Sequence, residues 1–274
     1  MIKYENGIHD ISNNEYHSSA GISRSMLMDF KRSPYHYWHK HLSGYHQREE
    51  STPEMNLGSA VHTLVLEPEK FSQEFFVISQ KTRPSKGTPP ALKNIEAAAG
   101  RIILTPSEES HAKIMAARLQ SETHAQSLLK DCRVEQSIYF THKPTGLQVK
   151  SRPDAWLNGL AIDLKTSGDA SYRAFQSSAM TYGYFLQTAF MAHALESVGE
   201  TMESFVNLVV EKKSPYPIAV YMISDDALAY GLKQFDDLMM GLAHCLENDK
   251  WNGYGIRILE VPGYAKYDNE LEID

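Results

Sequence analysis

Apolar residues along the chain recur first at helical and later at strand spacing. In residues 21–43, GISRSMLMDFKRSPYHYWHKHLS, Met26, Leu27 and Phe30 share one helical face. Ser33-Pro34 then interrupts or restarts the helix, because proline drives the residue before it out of the helical region. Residues 54–66 carry Leu57, Ala60, Val61, Leu64 and Val65 at helical spacing, and Pro68 closes that element. Pro84, Gly87, Pro89 and Pro90 predict a mobile loop over 80–94. Residues 107–129 read as another helix. From Cys132 the period falls from 3.6 to 2, which predicts strands at about 133–141, 147–157 and 160–166. A helix over about 171–197 follows, then strands near 204–211 and 217–223 around the turn-rich KKSPYP. A last helix begins at Ser224, an N-cap with Asp225 and Asp226 in the first turn. This order predicts one α/β domain spanning 1–274, a central mixed β-sheet flanked by α-helices.

The strand registers bring acids together. Asn158-Gly159 between alternating residues is a strong hairpin signal. A two-residue loop there pairs Leu157 with Leu160 and Trp156 with Ala161. Asp154 then lands opposite Asp163, and Arg152 opposite Lys165. Facing side chains share one surface of the sheet, so Asp163 and Lys165 point one way while Ile162 and Leu164 point the other. A four-residue loop at Lys143–Gly146 pairs His142 with Leu147 and sets Glu135 opposite Asp154. Opposed like charges destabilise a sheet, so this row of carboxylates calls for a cation, and hard oxygen donors favour Mg²⁺ or Mn²⁺. The plain alternative is a set of solvated strand residues with Lys165 paired to one of the acids.

Composition changes this picture little. The chain has 274 residues, 42% hydrophobic and 22% charged, as in an ordinary globular protein. No stretch approaches the ~20 apolar residues of a membrane helix, and the first residues lack the pattern of a secretory signal. Two cysteines, Cys132 and Cys245, are too few for a disulfide framework or a cysteine-held cluster, and a reducing cytoplasm is the expected compartment. The net charge of −7 argues against nucleic-acid binding. Binding depends on where charges sit, however, and two basic clusters stand apart: Lys81, Arg83, Lys86 and Lys93, and Arg24, Lys31, Arg32 and Lys40.

Pro153-Asp154, eight residues, then Asp163-Leu164-Lys165 has the form of the PD-(D/E)XK nuclease motif. Gly58-Ser59-Ala60-Val61-His62 resembles the Gly-x-x-x-His helix of RecB-like nucleases. Gly21-Ile22-Ser23-Arg24-Ser25 resembles their N-terminal helix motif, and Gln187 occupies the place of their Gln-x-x-x-Tyr helix. The phrases NEYHSSAGISRSML, NLGSAVHTLVLEPEKF and SRPDAWLNGLAIDLKTS are similar to the nuclease domain of RecE-type exonucleases (exonuclease VIII) across nearly the whole chain. The chain departs from the pattern at Ser33, where some relatives hold an iron–sulfur ligand, and at Met191, where the helix motif has tyrosine. Tyr182 and Tyr184 are candidate substitutes.

The resemblance implies a Mg²⁺-dependent double-strand DNA exonuclease that resects 5′→3′ and leaves 3′ overhangs for single-strand annealing, with Mn²⁺ able to substitute. It implies a ring-shaped homo-oligomer, trimer or tetramer, and a RecT-like annealing partner at double-stranded DNA ends. Asp154 is then the bridging metal ligand and Asp163 the second carboxylate, with the Leu164 carbonyl and His62 completing the shell. Glu135 stands between metal support and a solvated position. Lys165 orients the attacking water or lowers its pKa. Ser23, Arg24 and Ser25 at a helix start would meet a terminal 5′-phosphate, whereas the plainer reading is N-capping by Ser23. Gln187 would touch substrate, brace the site or face solvent. The rival readings are an endonuclease or structure-specific repair nuclease with the same metal site, and a non-catalytic DNA-binding module.

Overall fold

The computed structural model describes residues 2–45 and 51–261, and every statement below concerns those residues. The chain opens with strand β1 (Gly7–His9) and helices α1 (Asn13–Ser18), α2 (Arg24–Arg32), α3 (Pro34–His41) and α4 (Pro53–Leu66). Short α5 (Phe71–Glu74) leads into β2 (Phe75–Val77), α6 (Pro89–Ala98) and β3 (Ile102–Leu104). Helices α7 (Pro106–Ser121) and α8 (Thr123–Leu129) precede the strand-rich part: β4 (Arg133–Val134), β5 (Ser137–Thr141), β6 (Gln148–Ser151), β7 (Ala155–Leu157) and β8 (Leu160–Ser167). Helices α9 (Tyr172–Tyr182) and α10 (Tyr184–Ser197), strands β9 (Ser204–Glu211) and β10 (Ile218–Met222), and α11 (Asp225–Asn248) complete it.

The expected mixed sheet is present. Its order is β10-β9-β8-β7-β4, with β8 and β9 parallel and the other neighbours antiparallel. One core packs Leu27, Phe30, Trp156, Phe190 and Phe235 between this sheet and α2, α10 and α11. A second core, around Leu57, Val61, Met115, Ile162 and Leu164, lies on the opposite face under α4 and α7. Within β8 the alternation therefore sends Ile162 and Leu164 into the second core and Asp163 and Lys165 to the other face. No helix is long and apolar enough to cross a membrane.

Four predicted elements are broken, among them the expected helix 107–129, which divides at Glu122 into α7 and α8. The expected strands 133–141 and 147–157 each split in two, so that β5 and β6 form a separate sheet with β1. Glu135 adopts the left-handed region (φ 49°), and Pro153 offers no N–H to a ladder. The register nevertheless carries across the break. Val134 faces Ala155, Ile138 faces Ser151, and the Glu135 N–H donates to the Asp154 carbonyl at 3.1 Å. The β7–β8 ladder stops at Ala155↔Ile162, so Arg152 does not pair with Lys165; its side chain turns to Glu135 instead.

The expected helix 171–197 breaks at Gly183, whose φ of 69° ends α9 and restarts the chain as α10 on a new axis. A Cβ at Gly183 would lie 2.5 Å from Met28 Sδ on α2, a flexible side chain that would have to move aside. The loop expected over 80–94 is in part helical. Thr88 stands at the N-cap of α6, and prolines occupy its first turn, where their missing N–H costs nothing. The hairpin prediction at Asn158-Gly159 holds, with both residues at positive φ (46° and 82°), as a two-residue turn of this kind requires.

Candidate metal centre

The site forms where the two sheets part. Asp154 leaves β7 just ahead of its ladder, and its Oδ2 accepts the Leu164 N–H at 2.7 Å. That bond fixes the carboxylate against β8. His62, one turn after Gly58 on α4, brings Nδ1 to 3.5 Å from the same oxygen. A Cβ at Gly58 would stand 3.4 Å from Thr166 Oγ1, an ordinary contact, so the approach of α4 to β8 does not itself demand glycine. Glu135 arrives from β4, held by the Arg152 Nε at 2.7 Å. Ligand atoms of His62, Glu135 and Asp154 all lie within 4.8 Å of one another. His62 also interacts with the Leu164 backbone, which places that peptide beside the same three side chains.

Asp163 sits one step behind. It is fully buried, forms an ion pair with Lys165, and accepts a hydrogen bond from Gln187 Nε2. The row of three carboxylates expected from the registers is thus present as two acids and an imidazole in front, with Asp163 behind them, clamped by Lys165 and Gln187. Gln187 braces the site and does not face solvent. Tyr184 supplies the aromatic ring that Met191 cannot: it lies 5.0 Å from Lys165 Nζ, while Met191 is buried in the core. Tyr182 is exposed; its ring stacks on that of Tyr184 at 6.1 Å, and its carbonyl accepts from Arg24 Nη1 at 2.7 Å.

Electrostatics mark the same point. Burial, and then the Asp163 charge, push the Asp154 carboxyl above its ordinary range. Burial and the neighbouring Asp154 push Glu135 up to about 7 against the opposing pull of Arg152. Burial holds the His62 imidazole below its usual value, which favours the neutral ring able to ligate a metal. Two crowded carboxylates and a neutral imidazole form a donor set that fits a divalent cation, whose charge would offset the repulsion.

Beside this cluster lies a cavity of about 170 Å³ that His62, Glu135 and Arg152 help to line. A second, of about 300 Å³, shares Asn13 and Arg152 with it and is lined also by Ser23, Arg24, Ser25 and Gln187. Ser23 stands at the N-cap position of α2 but makes no capping bond; its Oγ meets Ser25 Oγ at 3.0 Å instead. The N-capping expectation is therefore corrected. Lys150, which the strand period did not single out, also lines this second cavity, buried, with Nζ donating to the Tyr16 and Ser19 carbonyls at 2.7 and 2.8 Å. No simple alternation marks it, because residues 16–22 cover β6 and bury both of its faces. In the 80–94 segment, Arg83 is engaged by Glu108 at 2.9 Å.

The order of these parts, an acid after proline on one strand, an acid and a lysine on the next and a histidine from a preceding helix, agrees with comparison against known families. Residues 23–257 match the family described as "PDDEXK-like domain of unknown function (DUF3799)". The chain belongs to this family. The PDDEXK-like fold is also met in the crystal structure of a candidate exonuclease from Eubacterium rectale, with TM-score 0.64 and 16% identity over 93% of this chain and 96% of that one. A further crystal structure, of SSO0001, aligns at TM-score 0.31 and 16% identity over 79% of this chain and 84% of that one, too loosely to carry an argument. No curated protein matches the chain.

Proposed function

We propose that this PDDEXK-like protein is a divalent-metal-dependent exonuclease acting on double-stranded DNA ends. The observation that carries the reading is the meeting of His62, Glu135 and Asp154 donor atoms within 4.8 Å, beside the Asp163–Lys165 pair. Asp154, Glu135 and His62 would hold Mg²⁺, or Mn²⁺ in its place, with the Leu164 peptide adjacent and Asp163 as the reserve carboxylate. A bound divalent ion supplies charge neutralisation at the phosphoryl oxygens and a more acidic water. Lys165 Nζ, fixed by Asp163 and packed over Tyr184, points a single cation at the reacting phosphate and orients the attacking water. Arg152 keeps Glu135 in place. Ser23, Arg24 and Ser25 line the neighbouring cavity with Lys150, a polar and cationic wall suited to a terminal 5′-phosphate.

The finer parts of the proposal rest on the sequence phrases shared with RecE-type exonucleases. These are 5′→3′ resection leaving 3′ overhangs, assembly as a ring, and a RecT-like annealing partner in recombination. The test uses purified protein with linear duplex labelled at either the 5′ or the 3′ end, and closed circular duplex, with Mg²⁺ or with chelator. Mononucleotide release from 5′ ends in Mg²⁺ alone, with the circle intact, is the expected result. Cutting of the circle would replace this reading with an endonuclease, and DNA binding without cutting in any divalent metal would leave a non-catalytic module.

A further inference from the structure

Behind the metal centre, on the same face of the sheet, a cavity of about 210 Å³ opens between α9, the start of α10 and the end of β10. It is far larger than a single water needs. Tyr172, Phe175, Phe185, Tyr221 and Met222 line it, and so does Asn207 on β9. Phe175 and Tyr221 stack on each other at 4.8 Å with planes 16° apart, and the Tyr172 ring stands beside Tyr221 at 6.1 Å, tilted by 59°. Tyr172 and Met222, 67% and 70% exposed, stand at its mouth. The Tyr221 hydroxyl is already occupied, donating to the Ala170 carbonyl at 2.5 Å.

Among the described residues, Asn207 is unusual in having both side-chain polar atoms orphaned. It is only 1% exposed, yet among the described residues neither its Oδ1 nor its Nδ2 meets a hydrogen-bond partner. Buried polar groups are nearly always paired, since an orphaned one carries its full desolvation cost. In the parallel β8–β9 ladder Asn207 lies directly beside Asp163, their backbones one strand spacing, ~4.8 Å, apart. The wall connects to the site as well: Phe175 packs against Tyr184 at 5.5 Å, and Tyr184 carries Lys165 Nζ at 5.0 Å.

We propose that the cavity lined by Phe175, Tyr221 and Asn207 is a binding site for a planar heteroaromatic ring with adjacent donor and acceptor, that is, a nucleobase. The exposed Tyr172 ring at the mouth offers a stacking surface that suits any base. The Asn207 amide offers one donor and one acceptor side by side, the pairing that amides make with base edges. The cavity stands on its own observations; only its link to DNA rests on the exonuclease reading. The base can come from a strand held at the metal centre or from a free mononucleotide.

The test measures binding of the four deoxynucleosides by saturation-transfer NMR and calorimetry in EDTA. Nucleosides lack the phosphate that a metal centre would capture, so their binding reports this cavity alone. Wild type should bind at low-millimolar concentration. Asn207→Leu, similar in size and relieved of the orphaned amide, should keep or raise the melting temperature while weakening binding about tenfold. Tyr172→Ala, at an exposed position, should weaken binding without loss of fold and covers the case in which Asn207→Leu fails to fold. A short single-stranded oligonucleotide that loses affinity in step with the nucleosides identifies a strand base as the occupant; an oligonucleotide indifferent to Asn207 identifies the free nucleotide. No nucleoside binding by wild type, or equal binding by both variants, overturns the proposal. Mg²⁺-dependent cleavage by the same preparations tells this failure apart from failure of the exonuclease reading.

Discussion

Glu135 donates its backbone N–H to the carbonyl of Asp154 at 3.1 Å, and this one bond sets the carboxylates of two strands side by side at the point where both strands leave the ladder. The left-handed φ of Glu135 and the proline before Asp154 free these residues from further pairing, and His62 and Arg152 close around them. The arrangement costs electrostatic energy that a cation would return.

Asp154→Asn should therefore separate activity from stability. It removes one of two crowded negative charges and keeps a side-chain oxygen to accept the Leu164 N–H. Cleavage is expected to fall to background, while the melting temperature in EDTA holds or rises by roughly 2 °C or more. Loss of fold in EDTA, or retained cutting, would contradict the assignment.

Divalent metal should stabilise the wild type and not this variant. Ligand binding to the folded state alone adds about 2.7 kcal/mol at one hundred times Kd. Differential scanning calorimetry with and without Mg²⁺ is expected to show an upward shift for wild type and little for Asp154→Asn. Ca²⁺, which accepts more ligands and looser geometry, should permit DNA binding with little cutting. Equal shifts in both proteins would place the metal elsewhere.

Lys165→Ala and Gln187→Leu should lower the cleavage rate to different extents. Loss of the lysine removes the cation aimed at the reaction and is expected to cost about 10²–10⁴-fold in rate. Gln187→Leu only loosens Asp163, an effect on the order of 10–100-fold, as for outer-shell partners of metal ligands. Single-turnover rates on one duplex check both; a larger loss at Gln187 than at Lys165 would reverse the assigned roles.

Arg24→Ala should erase a preference for 5′-phosphorylated ends. A doubly charged terminal phosphate suits a guanidinium in the cavity beside the metal centre. Matched duplexes differing only at the 5′ end are expected to be degraded at different initial rates by wild type and at similar rates by Arg24→Ala. Equal wild-type rates would remove the end-reading pocket.

Gly231→Ala should destabilise the protein. A Cβ there would overlap the Phe185 carbonyl, so α10 and α11 would have to separate. Overpacking of this kind costs about 1–3 kcal/mol, readable by urea denaturation. An unchanged midpoint would show that the two helices have room to give.

Local chemistry in the sequence carried much of the site. The Asn158-Gly159 turn predicts the β7–β8 register, and the count through His142 and Leu147 places Glu135 beside Asp154, as found. What stayed hidden depends on contacts distant in sequence or on single backbone angles. Nothing in a two-residue period marks Glu135 as left-handed. The parallel pairing of β8 with β9 joins residues some forty apart, so Asn207 beside Asp163 could not be anticipated. The bond from Gln187 that holds Asp163 comes from α10, which begins only after the break at Gly183. Strands β1, β2 and β3, of three residues each, are too short to show a period at all.

The guanidinium of Arg152 reaches Glu135, the Ser137 hydroxyl and, at 2.9 Å, the carbonyl of Ile11. That last bond ties residues 141 positions apart, and β1 likewise closes on β5 across more than a hundred intervening residues. Contacts of such span are entropically late to form. The N-terminal segment should therefore be the last part to dock during folding and the first to let go. Pulse-labelled hydrogen exchange is expected to find amides of β5 and β6 protected before those of β1. A polypeptide caught at that stage would have a finished five-stranded sheet and an unsecured Glu135, so metal competence would mature only after the chain's beginning has returned to its middle.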